Sequence, residues 1–247
     1  MFNFFIEKPA TQDKKYQITD KDYNHIKNVL RMRIGDKLYV SSNGKSDLCE
    51  ICEFNENCAV VKIIEENALD SSLPINITLF QGLPKSDKLE LIIQKAVELG
   101  VDAIVPVEMK NCVVKIEEKK KENKRERWQS ICESAAKQSK RNFIPKVFAP
   151  LSFKRVLEQV KNLDMLIVPY ENEKGMVGTK NALSMIKKGM NVGVFVGPEG
   201  GFDSEEIALL TGENVKLISL GKRILRTETA SITALSALML HAEMNVL

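Results

Sequence analysis

Histidine is nearly absent from the chain: His25 and His241 are the whole complement in 247 residues. An imidazole-based metal centre or a Ser-His-Asp triad is thereby disfavoured, because each needs histidine at positions fixed by geometry. No apolar run approaches the length of a membrane-crossing helix. The start, Met1-Phe2-Asn3-Phe4-Phe5-Ile6-Glu7, meets an acid before a signal-type apolar core can form, so the chain reads as cytoplasmic and free of membrane contact. The five cysteines form an odd set, and Cys49 and Cys52, although spaced C-x-x-C, have no second such pair and no neighbouring histidine. They read as reduced thiols, with no metal site implied. Charge of one sign is also lacking, since 36 Lys and Arg face 33 Asp and Glu, and a total of +3 makes no case for a polyanion partner. Only local clustering can make that case.

What is present is an ordinary globular composition, 44% apolar and 28% charged, in a length that suits two domains or one large one. From Asp36 to Ile64 the pattern alternates with period two: Lys37 to Ser41, a Ser42-Asn43-Gly44 turn, Leu48 to Glu53, a turn at Asn55 to Asn57, and Cys58 to Ile64. This is a β-meander. Before it, Asp20 to Met32 reads as a helix with Tyr23, Ile26, Val29 and Leu30 on one face. The polar stretch Glu65 to Leu73, ending at Pro74, is the expected boundary, which sets domains at 1–72 and 73–247.

Beyond Pro74, strands and helices alternate: a strand at Ile75 to Gln81, a helix at Ser86 to Leu99 closed by Gly100, and a strand at Ala103 to Glu108. A charged helix from about Lys120 to Lys140, a strand at Lys146 to Phe148 and a helix at Phe153 to Lys161 follow. Met165 to Pro169, Val192 to Val196 and Val215 to Leu220 are almost wholly apolar, as strands covered on both faces of a parallel sheet should be. The fold class is therefore α/β. The last helix, about Glu228 to Val246, places Ile232, Leu235, Met239, Ala242 and Val246 on one stripe.

Ligands of an open parallel sheet bind at the carboxyl ends of its strands, which directs attention to the loops there. One is Gly197-Pro198-Glu199-Gly200-Gly201-Phe202, entering a helix through Asp203 and Glu206 at capping-box spacing. Its glycines match neither G-x-G-x-x-G nor the Walker pattern, and the acids Glu199, Asp203, Glu205 and Glu206 would repel phosphate and tolerate a cation. A tight turn serving only the fold is the alternative. The other loop, Ser219 to Ala230, interleaves Arg223 and Arg226 with Ile224 and Leu225, suiting a flat heterocycle with a guanidinium reaching an anion. Between Lys110 and Lys146 there are twelve bases against five acids, a local net of +7 that leaves −4 on the remainder. That segregation is the footprint of a polyanion partner, unless it is only a solvated helix face.

Taken together, GPEGGF and SLGKRILRTETA, with QGLPKSDKLELIIQKAVELGV, ERWQSICESAAKQSKR and HIKNVLRMRIGD, resemble the RsmE family of 16S rRNA (uracil-N3)-methyltransferases in the SPOUT superfamily, across nearly the whole chain. The resemblance implies an N-terminal PUA-like β-barrel for RNA binding and a C-terminal α/β domain whose last strands form a trefoil knot around S-adenosylmethionine. It differs at two points: Asn3 stands between Phe2 and Phe4 where arginine is frequent, and Lys140 stands where glycine is common. The cofactor pocket it implies comprises Pro169, Tyr170, Glu171, Val196, Gly197, Pro198, Glu199, Gly200, Gly201, Leu220, Gly221, Ile224, Leu225, Arg226, Thr227, Thr229 and Ala230. No metal is implied.

Uracil N3 carries a proton whose loss spreads charge onto O2 and O4, where Arg226, or else Arg223, would stabilise the anion. Arginine cannot be the base. Glu199 and Glu228 are the nearest carboxylates in sequence, Thr227 and bulk water the other acceptors, and a neighbouring arginine would weaken either acid as a base. RNA contacts are expected from Lys27, Arg31, Arg33, Lys85, Lys88, Lys137, Lys140 and Arg141. The expected partners are 16S rRNA in the small ribosomal subunit and a second copy of the chain, which Ala230, Ser231, Ala234 and Ala237 of the last helix would pack closely. A non-catalytic ribosome assembly factor, or a methyltransferase for another RNA base, would carry the same features.

Overall fold

A computed structural model describes residues 1–210 and 212–246, which divide into two compact units. The first comprises Met1–Ser72 with Ala136–Ile144, and the second Leu73–Ala135 with Pro145–Leu247.

The first unit is built on strands β1 (Asn3–Phe5), β2 (Lys15–Thr19), β3 (Lys37–Ser42), β4 (Lys45–Phe54) and β5 (Cys58–Leu69), with the short helix α1 (Asp20–Asn24) between β2 and β3. Their sheet order is β1-β3-β4-β5-β2, antiparallel except for β1 beside β3. The β3–β4 hairpin turns on Asn43 and Gly44, both at positive φ (51° and 76°), as a two-residue loop matched to strand twist requires. Alternation buries Leu38, Val40, Cys49, Ile51, Ala59 and Val61 against Phe4, Ile18 and Ile26. Two expectations change. The helix from Asp20 is α-helical only to Asn24 and continues as a π-turn over His25–Val29, leaving Val29 exposed and Ile26 buried. The polar residues Glu65 to Leu69 extend β5, whose far end is exposed and therefore needs no alternation. The segments that form β1 and β2 are too short and mixed to stand out by periodicity.

In place of an arginine, Asn3 is buried: its Nδ2 donates to Arg141 O at 3.0 Å and its Oδ1 accepts from Ser41 Oγ at 2.9 Å.

The second unit runs β6 (Asn76–Gly82), α2 (Lys88–Glu98), β7 (Ala103–Glu108), α3 (Glu118–Gln138, whose last residues belong to the first unit), β8 (Lys146–Val147) and β9 (Leu151–Ser152). It continues with α4 (Phe153–Val160), β10 (Met165–Pro169), α5 (Val177–Ser184), β11 (Asn191–Val196), α6 (Ser204–Leu209), β12 (Val215–Ile218) and α7 (Thr227–Asn245). Its strands are parallel in the order β12-β10-β11-β6-β7-β8, with β9 also beside β7. The core lies along β6, β7, β10 and β11, with Phe80, Phe153, Phe195 and Phe202 clustered around Phe195 at 5.2–5.9 Å. By contrast β12 is an edge strand and only half buried along Val215 to Leu217, which corrects the expectation of cover on both faces.

Helix α2 buries Leu89, Ile92, Ile93, Ala96 and Val97, the i, i+3, i+4, i+7, i+8 stripe of an amphipathic helix, and packs against α7. The buried stripe of α7 is Thr227, Ser231, Ala234, Leu235, Leu238 and Ala242, while Ile232 and Met239 are only half buried. Ser231 and Ala234 are thus used within the subunit and are not available for close packing against a second copy. Among the described residues no helix is long and apolar enough to cross a membrane.

Candidate active site

At the carboxyl ends of β10, β11 and β12 a cavity of about 440 Å³ opens between the loops that leave them. The first loop, after β11, turns at Pro198 to Gly201, where Gly201 N donates to Pro198 O at 2.9 Å and Gly201 has φ +68°, a conformation that strains any other residue. Phe202 anchors its far side edge-on against Phe195 at 5.2 Å. The capping box then forms as its spacing predicts: Asp203 Oδ1 accepts from Glu205 N at 3.0 Å, and Asp203 N donates to Glu206 Oε2 at 3.0 Å. The second loop starts at Ser219, whose N–H and C=O are both held by Thr179 Oγ1 of α5 at 3.2 and 2.7 Å. It ends at Arg226, the N-cap of α7.

A buried hydrogen-bond chain ties the two loops together. Gln81, at the end of β6 and 0% exposed, donates through Nε2 to Thr227 Oγ1 (2.9 Å) and to Gly82 O (3.0 Å), while its Oε1 lies against Ser231 Oγ. Thr227 Oγ1 in turn donates to Gly197 O at 2.7 Å. Every polar group in this chain is matched, which is the condition for burying them. Next to it, a Cβ on Gly82 would sit 2.6 Å from the Pro198 backbone nitrogen, so only glycine lets β6 approach the first loop.

Fifteen of the residues expected to form the pocket lie on the cavity wall: Pro169, Tyr170, Glu171, Val196, Gly197, Pro198, Glu199, Gly201, Leu220, Gly221, Ile224, Leu225, Arg226, Thr227 and Ala230. Two do not. Gly200 turns toward Asn111, whose Nδ2 donates to Gly200 O at 3.1 Å, and Thr229 points to solvent. The expected set did not include Lys88, Glu173, Phe202, Ser219, Lys222 and Arg223, which also line the cavity, nor Gln81 behind it. GPEGGF already contained Phe202, but nothing in the local pattern ties Gln81 or Lys88 to loops more than a hundred residues away.

The four candidate catalytic residues separate clearly. Arg226 is exposed to the cavity, and among the described residues no hydrogen bond or ion pair engages its guanidinium. Thr227 is 5% exposed and its proton is committed to Gly197 O, so it fastens the loops and is not placed to act as a base. Glu199 is on the wall, but Lys88 Nζ lies 3.1 Å from it and Lys85 N donates to it at 3.1 Å. Burial pushes its carboxyl up, yet the N–H of its own backbone, Lys88 and Lys85 together outweigh this and hold it below the usual carboxylate value, a poor proton acceptor. Glu228 is not on the wall; it stands behind Lys88, with Oε2 3.2 Å from Nζ.

The basic residues also divide. Lys27, Arg31, Arg33, Lys85 and Lys140 are exposed. Lys88 belongs to the cavity, and Lys137 is ion-paired with Asp22 at 2.9 Å. Arg141 corrects its expected phosphate role: it is 3% exposed, with its guanidinium 4.8 Å from the Phe143 ring centroid. Much of the charge run is likewise laced into ion pairs, Lys121 with Glu108 and Glu118, Arg127 with Glu90, Arg125 with Glu122, and Lys110 with Asp203 and Glu205. The C-x-x-C pair splits too: Cys49 is buried, and burial with help from Asp47 raises its thiol to about 12, whereas Cys52 is exposed.

An RNA methyltransferase domain profile matches residues 71–239, and an RNA methyltransferase PUA domain profile matches residues 18–64. The ribosomal RNA small subunit methyltransferase E of Bacillus subtilis is 38% identical over 251 aligned residues, covering 99% of this chain and 98% of that one. The chain belongs to the ribosomal RNA small subunit methyltransferase E family. Among solved structures, the family member from Neisseria gonorrhoeae, bound to S-adenosyl methionine, is 29% identical with a TM-score of 0.82 over 97% of each chain. A putative methyltransferase from Legionella pneumophila, in complex with the same cofactor, is 29% identical with a TM-score of 0.78 over 96% of each chain. This chain thus combines an α/β methyltransferase unit with a PUA unit.

Proposed function

We propose that the chain transfers the methyl group of S-adenosylmethionine to N3 of a uridine in 16S rRNA of the small ribosomal subunit, in the cytoplasm. The observation that carries this reading is the cavity shared by the two glycine-bearing loops. Its size suits a nucleoside cofactor. Its wall offers Glu171 to a cation and no phosphate cradle, which fits a phosphate-free sulfonium. When bound, that cofactor supplies an electrophilic methyl group. The protein's part is to align donor and acceptor, exclude water and stabilise charge. Arg226 faces the cavity and is the group to bind an oxygen of the deprotonated uracil.

N3 lies on the pairing edge, so the uridine must enter unpaired or flipped. Lys27, Arg31, Arg33, Lys85 and Lys140 remain available for phosphates, and the first unit serves as the RNA-binding PUA-like barrel of residues 1–72. The methyltransferase domain is residues 73–247, with its last strands tied in a trefoil knot. A second copy would cover Leu240 and Met244, 48% and 67% exposed on α7.

The test is transfer of labelled methyl from S-adenosylmethionine to small-subunit RNA or particles lacking the modification, with the product nucleotide mapped by mass spectrometry. Arg226→Ala is expected to lower the transfer rate by about 10²–10³. Absence of cofactor binding by calorimetry would leave an assembly factor, and methyl on another base would redirect the substrate.

A further inference from the structure

Lys88 opens α2 and presents its ammonium to the cavity wall. Two carboxylates hold it there from different elements: Glu199 Oε1 at 3.1 Å from the first loop, and Glu228 Oε2 at 3.2 Å from the first turn of α7. An ammonium has three N–H donors, so pairing with two carboxylates leaves at least one N–H for the occupant of the cavity. A side chain 30% exposed and paired with two carboxylates is held at the wall, unlike a lysine spread toward solvent. Pairing with Glu199 and then Glu228 also raises its pKa, which keeps it charged.

The chemistry of the acceptor asks for two donors. Resting on the reading that uridine is methylated, loss of the N3 proton places charge on O2 and O4, one oxygen on each side of N3, and a single side chain at one of them leaves the other unserved. Arg226 caps the helix whose first turn carries Glu228, the carboxylate paired with Lys88, and both Arg226 and Lys88 line the cavity. The charges of the site also permit an anion. Glu199 and Glu228 balance Lys88 and Arg226, and the exposed Glu171 and Glu173 balance Lys222 and Arg223. A cationic donor then leaves one positive charge, which deprotonated uracil neutralises.

We infer that Lys88 is a second catalytic residue, donating its third N–H to one carbonyl oxygen of the target uracil while Arg226 serves the other. The N3 proton passes to solvent water as the uridine enters, leaving as hydronium. The N3 electron pair forms the new bond to the methyl carbon, and the C–S bond breaks with its pair retained by sulfur, giving neutral S-adenosylhomocysteine.

Lys88→Met removes the charge at similar length, and Lys88→Arg keeps a cation. Methyl transfer is followed in single turnovers on matched RNAs carrying uridine or 5-fluorouridine, whose N3 is more acidic, beside calorimetry with S-adenosylmethionine. Lys88→Met is expected to slow transfer to uridine about 100-fold, to leave cofactor affinity unchanged, and to recover most of the deficit on 5-fluorouridine; Lys88→Arg should retain more activity than Lys88→Met. Should Glu228, left without its cation, prevent folding, the pair Lys88→Met with Glu228→Gln is measured in the same way. An equal deficit on both RNAs, an unchanged rate, or a parallel loss of cofactor affinity would overturn the role. Wild-type protein that transfers no methyl to uridine would instead sink the reading beneath it.

Discussion

Lys140 carries φ +56° just beyond the end of α3, and Arg141 N donates to Ala136 O at 3.0 Å, which is the six-to-one bond of a Schellman motif with Lys140 at the left-handed position. The family resemblance puts glycine there, and the backbone explains why. An L-residue in this conformation costs roughly 1–2 kcal/mol, offset in part by the roughly 0.5–1 kcal/mol of extra chain entropy a glycine would lose on folding. Lys140→Gly should therefore stabilise the protein by about 0.5–1 kcal/mol, read as a higher urea midpoint. The cysteines give a second check at this scale: iodoacetamide at pH 8 should alkylate exposed Cys52 and spare buried Cys49 in the folded protein, as peptide mass mapping would show. Residue type and spacing pointed to two loops, since GPEGGF and the arginine loop concentrate glycine and opposite charges beside strand ends, and the family resemblance supplied the set of wall residues. Spacing could not show which charges are already matched. Arg141, Lys137 and Lys88 look alike in sequence and differ only in what folds against them.

Among the elements, the strands of the parallel sheet were the easiest to read. Met165–Pro169 and Ala103–Glu108 occur where contiguous apolar residues place them, because burial on both faces removes any need for alternation. Strands Asn3–Phe5 and Leu151–Ser152 escaped notice, being too short to establish a period. The stripe of α7 was misassigned because that helix is apolar nearly all round, so its buried side is chosen by Gln81 and α2 and not by its own pattern. The Gln81–Thr227–Gly197 chain can be tested as a unit. Thr227→Val keeps the shape but strands a Gln81 N–H and the Gly197 carbonyl, and should lower unfolding free energy by about 1–3 kcal/mol. Thr227→Ser should stay near wild type, and the pair of urea curves separates the hydroxyl from the methyl.

For the whole molecule, charge sets the pH range of stability. The carboxyls of Asp70 and Asp203 lie below their ordinary value of 3.8, Asp70 through hydrogen bonds from Ser72 and then Asn142, and Asp203 through the Glu205 N–H and then Lys110. A group whose folded pKa is depressed binds fewer protons folded than unfolded, so its stabilisation is complete above the unfolded value and is lost as pH falls through the folded one. Melting temperatures should therefore hold between pH 7 and 5 as far as these groups contribute, and drop below about pH 4; an onset above pH 5 would contradict the assignment. The strand order β12-β10-β11-β6 was not legible, because neighbours in the sheet are set by contacts far apart in the chain.

The bond from Gln81 to Thr227 spans 146 positions. A growing polypeptide can complete its sheet strands up to β11 and still have no enclosed chamber, since the segment that closes it, from Ser219 into α7, is made after them. Competence to hold the methyl donor should therefore arise abruptly, once that segment has emerged, and products that stop short of it should be inert bystanders in the cell.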